Sequence, residues 1–151
     1  MIVKNVMEKN VITINKDATY YEAAKILCQN NIGGAPVVDE DNNLVGMLSE
    51  KDLFKVLYPF YRSYYDNPEL YLDAQGRESK ATDIRDHKIA DFMSKGDEIS
   101  TVEPNTPIMR AGAILIAKHK HRLPVLDKGK LVGIVSRENI FRTILKKNFD
   151  L

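Results

Sequence analysis

Cysteine is almost missing from this chain: Cys28 stands alone among 151 residues. A single thiol excludes an intrachain disulfide, so the core must hold without covalent staples, which suits a reducing compartment. Cys28 follows the apolar pair Ile26 and Leu27 near the end of a predicted helix, and is expected as a small core residue rather than a reactive thiol. Long apolar runs are missing as well. No stretch approaches the roughly 18 apolar residues of a membrane span. The opening MIVKNVMEKN carries no apolar core of a signal peptide, and the expected location is cytoplasmic. Charge of one sign is missing too. The formal net charge is +1, so no bulk field draws the whole protein to nucleic acid or to a membrane. Ser49 and Ser136 have no neighbouring base in the sequence, and His119 and His121 have no companion cysteines or carboxylates. Neither an enzyme nor a metal site is read from these residues.

What is present is a duplication. The stretch INKDATYYEAAKILCQNNIGGAPVVD (Ile14–Asp39) aligns with VEPNTPIMRAGAILIAKHKHRLPVLD (Val102–Asp127) at an offset of 88, with six of 26 positions identical. One residue is lost in the following turn, and LVGMLSEKDLF (Leu44–Phe54) then meets LVGIVSRENIF (Leu131–Phe141) with five of 11 identical. Average composition predicts roughly two matches over such a length. Eleven mark a repeat, which is the first thing to look for in a sequence.

Both copies read as β-α-β-β-α. A β-rich segment opens each, VITI (Val11–Ile14) or ISTV (Ile99–Val102). In the first copy Thr19 and Glu22 form a capping box, and Tyr20, Ala23, Ala24 and Leu27 share one helical face. In the second, Thr106 is expected as cap and Pro107 as first helical residue, with Ile108, Ala111, Gly112 and Leu115 on the equivalent face. The strand pairs APVVD/LVGML and LPVLD/LVGIV are joined by short polar turns and read as hairpins. A last helix starts at Ser49 or Ser136. A unit of this size builds little core alone, so the two copies are expected to pack sheet to sheet with pseudo-two-fold symmetry, in an α/β (α+β) fold with clefts at the seam. The expected divisions are residues 1–57, an aromatic insert at 58–85, and residues 86–151.

The motifs GAPVVD…LVGMLSEKDLF and HRLPVLD…LVGIVSRENIF resemble the cystathionine-β-synthase (CBS) domain, and the tandem resembles a stand-alone CBS pair, or Bateman module. The resemblance covers about residues 1–57 and 86–145. It implies a regulatory module without catalysis that binds AMP, ADP, ATP or S-adenosylmethionine in the clefts between copies. It also implies a homodimer and a regulated protein in trans, with no required cofactor.

Gly46 sits in a strand where a missing side chain admits a ligand or another backbone. Ser49 opens a helix and Asp52 lies one turn on. In the resemblance Asp52 takes the ribose diol and Ser49 a phosphate or ribose contact, while the same S-x-x-D spacing also reads as a plain helix cap. Ser136 repeats Ser49, but Asn139 replaces the carboxylate and accepts without charge. Arg137 adds a cation that serves phosphate or simply faces solvent. In KHKHR, Lys118 to Lys120 read as a cationic helix end. His121 and Arg122 stand where the first copy has Gly33 and Gly34. In CBS proteins that sense AMP a His-Arg pair before such a strand binds phosphate, and a guanidinium fork and an imidazole suit that task. Ile12, Thr13 and Thr101, with Ile99, match the family positions lining the adenine slot, and equally fit ordinary strand packing. The insert LYPFYRSYYDNPELY (Leu57–Tyr71), with a short helix expected between Pro59 and Pro68, reads as packing onto the module or its mate, or as a partner surface. Only Arg62 lies inside its aromatic block, which disfavours base stacking on nucleic acid.

Overall fold

The computed structural model describes residues 1–57 and 84–151; the expected aromatic block and its short helix lie outside the described residues, apart from Leu57. Two compact units form, and neither is one run of sequence. One gathers Thr13–Val38 and Val45–Gly96, the other Met1–Ile12, Asp39–Leu44 and Asp97–Leu151.

The first-repeat unit contains β1 (Ile14–Asn15), α1 (Tyr20–Asn30), β2 (Gly34–Val38), β3 (Leu44–Ser49) and α2 (Glu50–Lys55). The sheet order is β1-β2-β3, with β1 parallel to β2 and Ile14 opposite Val37. The expected capping box closes the start of α1: Glu22 N–H donates to Thr19 Oγ1 and Thr19 N–H to Glu22 Oε2, each at 3.2 Å. Tyr20, Ala23 and Leu27 are buried beneath the helix and Ala24 packs beside them. Cys28 is exposed, against expectation, because one step past Leu27 turns it about 100° away from that face. All five residues of β2 are buried. A strand covered on both faces needs such a continuous apolar run. Tyr20 ties the helices together by donating its hydroxyl to the Leu53 carbonyl at 2.9 Å. Burial pushes its phenol above the ordinary value, and its ring meets Phe92 edge-on.

The second-repeat unit contains α3 (Ile108–Ala117), β4 (Arg122–Asp127), β5 (Lys130–Ser136) and α4 (Arg137–Phe149). The strand expected over 99–102 contracts to a single parallel bridge, Val102 to Val125. β4 and β5 pair antiparallel from Arg122–Ser136 to Asp127–Lys130. Thr106 does not cap α3. Its Oγ1 accepts from Glu103 N–H at 3.1 Å, and Pro107 occupies the cap position without a side-chain bond. The expected face holds: Ile108, Ala111 and Leu115 are buried with Leu123, Val125, Val135 and Ile140.

The duplication is visible in the hydrogen bonds. Ile14–Val37 and Val102–Val125 are the same pairing 88 residues apart. Glu50 N–H donates to Gly33 O at 2.9 Å, and Arg137 N–H to His121 O at 3.0 Å. The repeat also reaches further back than β1. A 3-10 turn at Val3–Asn5 matches one at Ile89–Asp91. Val3 N–H donates to Thr106 O, as Ile89 N–H does to Ala18 O. Glu8 bridges Ile134, as Ser94 bridges Met47. These lead segments are exchanged: residues 1–12 complete the second-repeat unit and residues up to Gly96 complete the first.

Candidate functional site

In the first-repeat unit β3 runs directly into α2, so Ser49 is at once the last strand residue and the helix cap. Ser49 N–H and Oγ–H both reach Asp52 Oδ2, at 2.9 and 3.2 Å, and Asp52 N–H returns to Ser49 Oγ at 3.3 Å. Asp52 is only 7% exposed, a rare position for a carboxylate without partners. Its other oxygen, Oδ1, lies 3.5 Å from Lys55 Nζ. The capping reading of S-x-x-D is therefore realised, and it uses one carboxylate oxygen while leaving the other to a half-exposed lysine.

In the second-repeat unit Ser136 and Asn139 repeat this box with an amide. Ser136 N–H and Oγ–H donate to Asn139 Oδ1 at 3.1 and 2.7 Å, and Asn139 N–H returns to Ser136 Oγ at 3.1 Å. Arg122 lies across the β4–β5 ladder from Ser136. Arg137, the next residue, donates through its guanidinium to His121 Nδ1. A guanidinium has no acceptor, so Nδ1 takes the accepting role in this contact. His121, Arg122, Ser136, Arg137 and Asn139 thus come together around one strand-to-helix junction.

Sequence reading missed a sixth member, Glu138. Its carboxyl is held below the ordinary glutamate value, first by its own backbone N–H, then by the Ser136 hydroxyl and by the positive charges of Arg137 and Arg122; partial burial opposes this. The remaining candidates precede the sheets. Thr13 is half-buried one residue before β1, Ile12 before it is exposed, and Thr101 is exposed one residue before the Val102 bridge. Lys118 to Lys120 form the end of α3: Lys120 N–H closes on Leu115 O at 2.9 Å while Lys120 Nζ reaches Glu98 O at 3.1 Å.

The CBS domain family model matches residues 3–59 and 89–146. The chain belongs to the CBS domain family. A CBS domain-containing protein of Dictyostelium discoideum is 33% identical over 147 residues, covering 97% of this chain and 92% of its own. The CBS domain pair of protein MJ0100, solved with 5′-methylthioadenosine and S-adenosyl-L-methionine, superposes with a TM-score of 0.73 at 27% identity, covering 98% of both chains. CBSX2 in complex with AMP gives 0.72 at 26%, covering 97% of both. The two matched segments are the two repeats, and the first begins at Val3, inside the exchanged lead.

The Gly46 reading is sharpened by the same lead. What approaches Gly46 is chain: a Cβ there would lie 2.9 Å from Ser94 O and against Met93 Sδ. Gly133 of the second CBS repeat faces Glu8 O and Met7 Sδ in the same way. Among the described residues no helix is long and apolar enough to cross a membrane.

Proposed function

We propose that this CBS pair is a non-catalytic regulatory module that binds an adenosine ligand, among AMP, ADP, ATP and S-adenosylmethionine, and passes its occupancy to a regulated protein in trans. The observation that carries the reading is the basic cluster of the second repeat. His121, Arg122, Ser136 and Arg137 converge where the first repeat offers only Gly33 and Gly34 before its strand. Arg122 and Arg137 present forked donors for phosphate oxygens, Ser136 adds a hydroxyl, and His121 Nε2–H is a further donor. In the first repeat Asp52 supplies the acceptor for a ribose diol through Oδ1, with Ser49 beside it. Ile12, Thr13 and Thr101 are assigned to the adenine slot, with Asn139 as the weaker counterpart of Asp52. AMP and S-adenosyl ligands in proteins covered end to end by this chain support the ligand class.

Titration calorimetry with the four ligands at about 100 μM protein tests this, a level that registers even weak binding. At least one is expected to bind. Silence with all four would sink the proposal. Arg122→Ala is expected to weaken AMP roughly tenfold or more while leaving adenosine nearly unchanged; an equal loss for both would make Arg122 structural. Asp52→Asn separates capping from binding. Asn139 caps with an amide in the second repeat, so folding stability should fall by less than about 1 kcal/mol. Adenosine and AMP should both weaken several-fold, and unchanged affinity would remove Asp52 from the ligand.

A second reading, an interaction module with vestigial pockets, has its own support: Asp52 and Asn139 each cap their own helix. Nucleotide retained through gentle purification and seen by mass spectrometry would decide against it. We assign the module a homodimeric state on either reading. Met109, Ile116 and Phe141 on α3 and α4 are 67%, 72% and 62% exposed beside one apolar groove. Phe141→Asp is expected to yield monomers in sedimentation; a wild-type monomer would refute the assignment.

A further inference from the structure

The second repeat adds a side-chain contact to a backbone bond that both repeats share. Glu50 N–H donates to Gly33 O at 2.9 Å, and the equivalent Arg137 N–H donates to His121 O at 3.0 Å. The latter bond continues the β4–β5 ladder one register beyond Arg122–Ser136, so His121 and Arg137 are cross-strand neighbours. They also bond through their side chains, the Arg137 guanidinium donating to His121 Nδ1. At the equivalent place Gly33 has no side chain to offer and Glu50 carries the opposite charge. Arg137 has a second surface within reach. It lines the apolar groove of α3 and α4 beside Met109, Ile116 and Phe141, and an arginine stem packs readily along such a surface. An arginine that samples both places gives up much rotamer freedom when it closes on an anion. One already held at the rim has given it up beforehand.

We infer that His121 is a positioning residue for Arg137: through Nδ1 it holds the guanidinium at the rim and leaves the rest of the fork to phosphate. The inference rests on the proposed ligand reading and adds that His121 acts on phosphate chiefly through Arg137, more than through its own Nε2–H. It also accounts for the two differences between the repeats together. An imidazole in place of Gly33 serves this purpose only with an arginine opposite it, and the second repeat has both. The first repeat keeps glycine opposite glutamate at the same register, a pair that offers an anion no side-chain donor.

Asparagine and glutamine separate the two nitrogens of the imidazole, since an Asn amide reaches as far as Nδ1 and a Gln amide as far as Nε2. Calorimetry compares AMP and adenosine on wild type, His121→Ala, His121→Asn and His121→Gln. His121→Asn keeps an acceptor for Arg137 and is expected to hold AMP within about twofold of wild type. His121→Ala and His121→Gln should weaken AMP roughly three- to tenfold, with adenosine unchanged throughout. In an Arg137→Ala background, itself weaker for AMP, His121→Ala should cost nothing further. AMP binding kept by glutamine and lost by asparagine would make His121 a direct phosphate contact and overturn the inference. Equal AMP affinity in the three variants, or independent losses from the two residues, would overturn it as well. If wild type does not bind AMP, the phosphate reading fails by itself, and the pairing is decided in the ligand-free protein. NMR of the arginine side-chain N–H groups should then show an Arg137 signal that is distinct in wild type and His121→Asn. In His121→Ala and His121→Gln it should join the solvent-exposed arginines. An Arg137 signal unchanged across all four proteins overturns the positioning role.

Discussion

His119 is the residue of KHKHR that the backbone constrains most. Its φ is +53°, left-handed, at the position where the first repeat has Asn31 at +52°. Both helices end the same way: Ile32 N–H closes on Leu27 O and Lys120 N–H on Leu115 O. Asparagine tolerates that conformation well and glycine best, whereas an imidazole-bearing Cβ does so at a cost. His119→Gly is therefore expected to raise stability by about 0.5–1 kcal/mol in urea unfolding; a destabilised variant would mean the ring makes contacts that outweigh its backbone strain. Asp39 shows the opposite economy, a polar side chain organising a turn. Its Oδ1 accepts from Asn43 N–H at 2.9 Å and Asp41 N–H at 3.0 Å, and Oδ2 from Asn43 Nδ2 at 3.1 Å. The bonds to Asn43 hold its carboxyl below the ordinary aspartate value, with Lys130 adding a smaller attraction. A depressed carboxylate stabilises the fold above its unfolded value and loses that contribution as pH falls through the folded one. Melting temperature against pH should thus fall less steeply on the acid side for Asp39→Asn than for wild type. Parallel acid limbs would show that the turn does not sense the charge.

At the scale of elements, strands are met closely by the exchanged leads. A Cβ on Gly46 would press on Ser94 O at 2.9 Å, and one on Gly133 on Glu8 O at 3.1 Å. Backbone cannot yield as a methionine side chain can, so Gly46→Ala should cost about 1–3 kcal/mol and Gly133→Ala somewhat less, by chemical denaturation. The reverse order would place the tighter contact at Gly133. Most elements were legible beforehand. Capping boxes, helical faces and turn residues are local signals, and duplication let each copy check the other, which is why α1, the hairpins and the starts of α2 and α4 appear where expected. Thr106 misled because its hydroxyl satisfies Glu103, a competitor three residues back that spacing does not rank. Cys28 misled because an apolar neighbour says nothing about helical phase at a helix end. Of the candidate site, His121 and Arg122 stand out in the sequence through their asymmetry with Gly33 and Gly34, and Arg137 as a cation beside a helix start. Glu138 was passed over because an exposed glutamate after an arginine is ordinary in sequence and unusual only in company.

Across the whole molecule, the lead exchange decides which repeat depends on which end of the chain. It had a sequence signal, VMEKN (Val6–Asn10) against FMSKG (Phe92–Gly96), short enough to pass below a search for identities. Val3 is fully buried in the core built by Val102, Ile108, Leu123 and Val135, and its N–H satisfies the Thr106 carbonyl at 2.8 Å. Glu8 and Ile134 exchange both backbone bonds, at 2.8 and 3.0 Å. Removing residues 1–9 would strip the second-repeat unit of a buried valine, of two strand-like hydrogen bonds and of the cover over Gly133. A buried valine alone is worth about 1.5–3 kcal/mol. The N-terminal deletion should therefore loosen the far repeat: faster amide exchange by mass spectrometry in Leu123–Val125 and Val132–Val135, with Ala35–Val38 protected as before. The mirror change, Ile89→Ala, should reverse the pattern, because Ile89 is buried with Ile14, Val37 and Leu48. Exchange that rises in the repeat nearest in sequence to each change would refute the swap. Confirmed, it would mean that neither repeat of this CBS pair can be excised as a run of sequence, since each leaves its lead segment in the other's core.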